Sequence, residues 1–287
     1  MLENKKYLFS NGDSWVLGIM LDTEYMRNQY LSESNITHGK FREKIGDVDE
    51  YTWLCNNTNY HTDAVELQGK SRFSNVVSDK LGLEEINLSW EGKSNKAIMR
   101  TTIEWILDNK DKLEDTFFLI GWTSPMRGEF VDDKNDSYDR VWIKQKMVSE
   151  LETLYLILNL QNYFKVNNVE YMFIDLFSDL FLPMEYNTRD FYDEKYRRFS
   201  TSLSLYDSLL GELDKDKFFS QKSLVKIIEE NVGLGNIKDG EQFCELPIEN
   251  NYSKYSKDFV GHPSISSSKI IGDLIYEKIS SNNNVRK

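Results

Sequence analysis

The chain has 287 residues, with 47 Asp and Glu against 35 Lys and Arg, a formal net charge of −12 and a pI near 4.9. This charge would repel a phosphate backbone, so we expect no nucleic-acid partner. No apolar run approaches the length of a membrane span, and the N-terminal segment lacks the apolar core of a secretory signal, so we expect a cytoplasmic protein. The two cysteines lie far apart without metal-ligand spacing, which predicts neither a metal nor a redox pair.

Short apolar runs alternate with amphipathic stretches along the chain, which favours βα units and a parallel sheet over a helix bundle or a β-sandwich. In chain order the predicted elements are strand 7–9, helix 73–81 closed by Gly82, strand 85–88, helix 94–109, strand 116–120 ending at Gly121, helix 141–166, strand 171–174 and helix 264–279. The sequence therefore predicts an α/β fold.

Two polar stretches, at about 22–70 and 176–255, do not follow this alternation. We interpret them as insertions within one domain that spans residues 1–287. Ligands bind at the carboxyl ends of the strands in an open parallel sheet, so insertions after the first and last strands would wall such a site.

A serine follows the first predicted strand directly, in the tripeptide Gly12-Asp13-Ser14. The carboxyl end of a strand is where a nucleophilic hydroxyl would be exposed at the edge of the sheet. The alternative is a strand-to-helix turn in which Asp13 or Ser14 only caps the next helix.

A histidine and a carboxylate precede the last predicted helix. The segment 258–264 reads Asp-Phe-Val-Gly-His-Pro-Ser, and His262 is one of only three histidines. A serine needs a base to become a nucleophile, imidazole suits that task near pH 7, and a carboxylate such as Asp258 can hold the imidazole. The alternative is a surface histidine before a helix that starts at Pro263.

Two glycine-containing turns could supply backbone N–H groups to the negative charge that develops on a carbonyl oxygen during acyl transfer. One turn, residues 87–95, follows the second predicted strand, and the other, residues 121–129, follows the third. Each could also be an ordinary βα loop.

The order of these segments resembles the four sequence blocks of SGNH (GDSL-like) hydrolases: GDS after the first strand, two glycine turns, and Asp…His-Pro before the last helix. The resemblance implies a flavodoxin-like, three-layer α/β/α fold and an activity on esters without a cofactor. It also implies that Ser14 is the nucleophile and His262 the base, with the N–H groups of Ser14 and Gly92 in the oxyanion hole.

The chain departs from the family pattern at two places. Thr123 stands where the third block of the family has asparagine, so Thr123 or Ser124 could donate through its hydroxyl, or Asn95 could reach in. Asp258 lies four residues before His262, whereas the family carboxylate lies three before.

Segment 121–129 also resembles a variant third block, Gly-Trp-Thr-Ser, of SGNH-like proteins from phages, which would make association with a virion or host cell an alternative location. With Asn95, Trp122 and Ser124, Arg127 is a candidate for substrate binding. Arg127 could bind an anionic or hydroxyl-rich substrate or could instead pair with Glu129.

The function predicted is that of a serine esterase acting on a small acyl ester, such as an O-acetyl group on a carbohydrate, through an acyl-enzyme. The carbohydrate substrate is inferred from the substrates common on the fold that the resemblance implies and from aromatic residues such as Tyr51, Trp53 and Tyr60, which could instead pack within loops. A non-catalytic module that binds a glycan or a protein is the competing hypothesis. A nucleotide binder is disfavoured because no glycine-rich phosphate loop follows any predicted strand. The oligomeric state is left open.

Overall fold

The structure is a computed structural model that describes residues 2–18, 21–46, 48, 50–125, 127–132, 137–142, 146–178, 180–181, 200–227 and 265–284. The described strands, numbered in chain order, are β1 Tyr7–Asn11, β2 Glu84–Asn87, β3 Thr116–Trp122, β4 Arg127–Asp132, β5 Ser137–Trp142 and β6 Glu170–Asp175. The described helices are α1 Ser14–Leu17, α2 Leu21–Ser34, α3 His38–Ile45, α4 Glu50–Asn57, α5 His61–Ser71, α6 Phe73–Leu81, α7 Asn95–Asp108, α8 Lys146–Val166, α9 Ser200–Gly211 and α10 Ile265–Asn284.

Four strands form one parallel sheet in the order β2-β1-β3-β6, and β4 and β5 form a separate antiparallel hairpin. In the register of the sheet, Phe9 lies beside Phe118, and Phe118 lies beside Tyr171. Strand β1 is therefore flanked on both sides, which places the residues that follow it at the middle of the sheet edge. The predicted parallel sheet is confirmed.

Side chains alternate between the two faces of each strand and build two apolar layers. One layer joins Leu8, Phe117, Leu119, Met172 and Ile174 to side chains of α6 and α10. The other joins Phe9, Phe118, Ile120, Tyr171 and Phe173 to side chains of α7, α8 and α9. Helices thus cover both faces, and the predicted three-layer α/β/α architecture is confirmed.

Local sequence signals account for the ends of two helices. Helix α6 has the predicted bounds and ends at Gly82, whose φ of 68° is the left-handed conformation that glycine adopts without a Cβ penalty. Helix α7 begins after Ser94, whose side chain accepts a hydrogen bond from the N–H of Ala97 at 3.2 Å.

Several predicted boundaries differ from the structure: β1 runs to Asn11 and α10 to Asn284, beyond their predicted ends. Two further differences bear on the candidate site. Strand β3 continues through Gly121 and Trp122, so Gly121 does not begin a turn. A Cβ at Gly121 would lie 2.6 Å from Cγ2 of Val16, which shows that this glycine allows α1 to approach the strand. Helix α8 begins at Lys146, because Val141 lies in β5, the second strand of the hairpin.

The first polar stretch folds into the helices α2 to α5. They surround a small apolar core made by Met26, Phe41, Ile45, Leu54 and Ala64. Of the second stretch, only residues 176–178, 180–181 and 200–227 are described, and they include α9. Among the described helices, none combines the length and the apolar character that crossing a bilayer requires.

Candidate active site

Ser14 lies at the carboxyl end of the central strand β1. The strand ends at Asn11, and Ser14 is the first residue of α1. The carbonyl of Asp13 accepts a hydrogen bond from the N–H of Leu17 at 3.0 Å, which starts the helix. Because Ser14 opens the helix, its own N–H has no partner within α1.

Gly12 allows α1 to pack closely on β3. A Cβ at this position would lie 2.3 Å from Cγ2 of Val16 and 3.2 Å from the carbonyl oxygen of Gly121. Any larger residue would therefore push the Gly-Asp-Ser turn away from the sheet. The first residue of the tripeptide is needed for packing, independently of any chemistry at Ser14.

The carboxylate of Asp13 is fully buried and joins the loops that follow β1 and β3. Its Oδ2 accepts a hydrogen bond from Oγ1 of Thr123 at 2.7 Å. The same oxygen accepts a hydrogen bond from Nη1 of Arg127 at 2.8 Å and forms an ion pair with it. A buried carboxylate needs such partners because its ionised form loses hydration. Asp13 therefore holds the turn that carries Ser14 against the third loop.

Asn95, the first residue of α7, joins the second loop to the third. Its Oδ1 accepts the N–H of Thr123 at 2.8 Å, and its Nδ2 donates to the carbonyl of Thr123 at 3.0 Å and to Oγ1 of Thr153 at 3.1 Å. The residue is buried. Its amide is engaged within the protein, which conflicts with the predicted role of Asn95 as a substrate contact or replacement donor.

The oxyanion role predicted for Thr123 also conflicts with its hydrogen bonds. Its hydroxyl proton goes to Asp13 and its N–H goes to Asn95. A hydroxyl has one proton to donate. The buried carboxylate of Asp13 is a stronger acceptor for that proton than a neutral carbonyl oxygen would be. In this structure Thr123 supports the two preceding loops instead of facing a developing oxyanion.

The predicted substrate role of Trp122 is contradicted by its burial. The side chain has no exposed surface, and its ring packs edge-on against Phe173 with the centroids 5.5 Å apart. The residue belongs to the apolar layer because β3 is two residues longer than the sequence predicts.

Ser124 and Arg127 lie just beyond β3. Ser124 is half-buried, and its carbonyl accepts the N–H of Arg127 at 3.2 Å. Arg127 makes an ion pair with Asp13, a partner that was not predicted from the sequence. The side chain of Glu129 lies outside the described residues. Substrate contact by Ser124 stays a prediction.

The loop that follows β2 is held against the Gly-Asp-Ser turn. The N–H of Leu88 donates to the carbonyl of Ser10 at 2.9 Å, and the N–H of Trp90 donates to the carbonyl of Gly12 at 3.3 Å. Gly92 has a φ of 66°, and its N–H donates to none of the described residues. This N–H is therefore available next to the turn that carries Ser14.

Sequence reasoning missed two polar residues that build this loop. The Nζ of Lys93 donates to Oδ1 of Asn11 and to the carbonyl of Leu88, each at 2.7 Å. The same Oδ1 accepts the N–H of Gly12 at 3.0 Å. The available signal was an asparagine at the end of the buried strand β1, where an amide can hydrogen-bond to several loops at once.

The predicted base His262 and its partner Asp258 lie outside the described residues, so both assignments rest on the sequence. Within the described part of the chain, no cluster of three or more His, Cys, Asp or Glu side chains has the arrangement of a metal site. Cys55 is a free thiol in α4.

Comparison with known proteins finds likeness only at the level of structure. No family model matches the chain, and no curated protein matches it. The psychrotrophic esterase EstA from Pseudoalteromonas sp. is 12% identical with a TM-score of 0.43, and the match covers 98% of this chain and all of that one. A carbohydrate esterase family 2 enzyme with a carbohydrate-binding domain, from Corynascus thermopiles (Myceliophthora fergusii), is 12% identical with a TM-score of 0.44, and the match covers 96% of this chain and 66% of that one. Solved structures similar to this chain thus include esterases.

Proposed function

We propose that this chain is a serine esterase of the SGNH type, folded as one domain with two insertions. The observation that carries the proposal is the position of Ser14 at the carboxyl end of the central strand, beside a second loop with an available glycine N–H. The hydrogen bond from Trp90 N–H to the carbonyl of Gly12 holds these two loops together. This arrangement supports Ser14 as the nucleophile and Gly92 as a backbone donor on one edge of the sheet.

In the proposed reaction, the Ser14 hydroxyl attacks the carbonyl carbon of an ester and His262 accepts its proton. The N–H groups of Ser14 and Gly92 stabilise the oxyanion. His262 then returns the proton to the departing alcohol, which leaves an acyl group on Ser14. A water molecule, deprotonated by His262, hydrolyses this acyl-enzyme and regenerates the serine. Asp258 would orient the imidazole.

The substrate we propose is a small acyl ester of an uncharged carbohydrate. The net charge of −12 disfavours anionic substrates. Trp53 and Tyr60 do not support a sugar cleft, because Trp53 packs against Tyr30 and Phe41 and the Tyr60 hydroxyl donates to Glu33. Their packing role is the one that the structure favours, and the side chain of Tyr51 lies outside the described residues.

Hydrolysis of p-nitrophenyl acetate tests the assignment of nucleophile and base. We expect Ser14→Ala and His262→Ala each to lower kcat by at least about 10³-fold, because removing one member of a nucleophile–base pair disables the unit. Ser32→Ala and His61→Ala, on exposed positions of α2 and α5, are the matched controls and should keep the wild-type rate. A fluorophosphonate should label Ser14, located by mass spectrometry of the peptides.

Equal rates in all variants, with no adduct on Ser14, would contradict the esterase and favour the second candidate, a non-catalytic module that binds glycans or proteins. The observation that favours this candidate concerns Thr123, which stands where the family has an asparagine donor. Its N–H and its hydroxyl both donate to groups within the protein. An unreplaced oxyanion donor costs about 10²- to 10³-fold in rate. Binding of acetylated and unacetylated xylo-oligosaccharides by calorimetry would then be the measurement.

A further inference from the structure

Trp90 is exposed at the edge of the candidate site. Its relative exposure is 69%, although tryptophan has the largest apolar side chain. The residue lies in the loop between β2 and α7, two residues before Gly92, and its N–H is bonded to the carbonyl of Gly12. The backbone of Trp90 is thus bonded to the turn that carries Ser14, and its indole is open to solvent.

The backbone under this indole is held in place on both sides. The carbonyl of Trp90 accepts the N–H of Lys93 at 3.3 Å, and the ammonium of Lys93 ties the loop to Asn11 and to Leu88. Ser94 then caps α7. Since the loop is ordered by its own hydrogen bonds, a ligand that meets the indole would not have to order the backbone, which favours binding.

We propose that Trp90 is a platform on which a sugar ring of the substrate stacks while its acyl group lies at Ser14. This inference rests on the proposed function and names the residue that recognises the alcohol part of the ester. The slightly positive C–H bonds on one face of a pyranose ring meet the negative face of the indole.

The surroundings favour a sugar over a long acyl chain. In the part of the chain that the structure describes, the other exposed large apolar side chains are Val48, Val65, Leu107, Tyr155, Val166, Leu205 and Ile270. None of these lies in a loop at the carboxyl ends of the sheet strands. A single flat apolar surface fits a ligand with one apolar face, whereas a fatty acyl chain needs a continuous apolar groove.

Kinetics with two esters test the platform. For mono-O-acetylated xylotriose we expect Trp90→Ala to raise KM at least fivefold and Trp90→Phe to raise it less. For ethyl acetate, which has no ring to stack, kcat/KM should stay within twofold of wild type in a pH-stat assay. Leu107→Ala, which truncates an exposed apolar side chain on α7, is the control. It should change neither KM for the sugar ester nor kcat/KM for ethyl acetate. The proposal would be overturned if Trp90→Ala left KM for the sugar ester unchanged. It would also be overturned if Trp90→Ala lowered kcat/KM for both esters by the same factor.

Binding measurements separate this proposal from the esterase assignment. Calorimetry should show that the Ser14→Ala variant binds unacetylated xylotriose. In the double variant that also carries Trp90→Ala, we expect the Kd to be at least fivefold higher. If the wild type hydrolyses no ester but this loss of binding is seen, the esterase proposal fails and the platform is supported. If Ser14 proves essential for ester hydrolysis but xylotriose binding does not depend on Trp90, the platform fails alone.

Discussion

The residue that most constrains the site is Asp13, whose carboxylate has no exposed surface. Arg127 neutralises its charge, and Thr123 donates to the same oxygen. Removing one partner of a buried ion pair leaves an uncompensated charge, which costs more than the pair contributes. Asp13 therefore determines stability and loop position together, although it takes no part in the proposed chemistry.

A double-mutant cycle measures this pair. We expect Arg127→Met to lower the free energy of unfolding by about 3 kcal/mol, because the carboxylate of Asp13 stays buried without its cation. Adding Asp13→Asn should recover part of that loss, since asparagine is neutral and has the same shape.

Urea unfolding at pH 7 is the measurement. Arg100→Met, which removes an exposed pair with Glu104 on α7, is the matched control and should cost less than about 0.5 kcal/mol. Strict additivity of the two substitutions at Asp13 and Arg127 would show that the pair is not coupled energetically.

At the scale of elements, glycines permit close approach at two places. Gly12 and Gly121 let α1 lie against β3, and Gly272 lets α10 lie against α6. A Cβ at Gly272 would lie 2.6 Å from Cγ1 of Val76 and 3.0 Å from the carbonyl oxygen of Phe73. These contacts bring α1 to β3 and α10 to α6 at distances that a larger residue would not allow.

Gly272→Ala tests the contact between α6 and α10. Alanine favours a helix over glycine by about 1 kcal/mol, but overpacking against a backbone carbonyl costs about 1–3 kcal/mol. We expect a net loss of about 1 kcal/mol in urea unfolding, partly recovered when Val76→Ala is added.

Gly69→Ala in α5 is the control, because a Cβ there meets no atom within 4 Å. It should stabilise the protein by up to about 1 kcal/mol, as helix propensity alone predicts. Equal stabilisation at both glycines would show that α10 does not pack on α6 as described.

At the scale of the whole molecule, one of the two apolar layers buries a tyrosine whose ionisation makes stability depend on pH in the alkaline range. Tyr171 on β6 is 3% exposed, and its hydroxyl finds no hydrogen-bond partner among the described residues. Burial, with a smaller contribution from the nearby charge of Asp214, raises the pKa of this phenol above its ordinary value of 10.0. Above pH 10 the unfolded chain therefore loses this proton before the folded protein does.

It follows that the stability associated with a neutral Tyr171 is fully present below pH 10 and falls as the pH rises above that value, by at most about 1.4 kcal/mol per pH unit. Tyr171→Phe should have wild-type stability at pH 7, since no described hydrogen bond is lost, and should exceed the wild type at pH 10.5. Urea unfolding at both pH values measures this. Tyr155→Phe, at an exposed position on α8, is the control. A difference between Tyr171→Phe and wild type that does not change with pH would contradict the predicted linkage.

Local sequence patterns determined the four strands of the parallel sheet and four of the helices that pack on it, because helix ends and strand periodicity depend on neighbouring residues. Helix 73–81 with Gly82, and the cap of α7 at Ser94, could be predicted for that reason. The start of α8 and the end of β3 could not, since the hairpin β4–β5 and the packing of Val16 on Gly121 involve residues that are distant in sequence.

The sequence by itself determined the fold class and the position of Ser14, since both follow from the order of strands and from the residue after the first of them. Only the tertiary structure decided that Thr123 and Asn95 hold loops, that Trp122 is buried and that Trp90 is exposed. The physical reason is that the bonds of Asp13 to Thr123 and Arg127 join residues 110 and 114 positions apart, and no local pattern reports such contacts. His262 and Asp258 stay predictions from the sequence, which the proposed variants test directly.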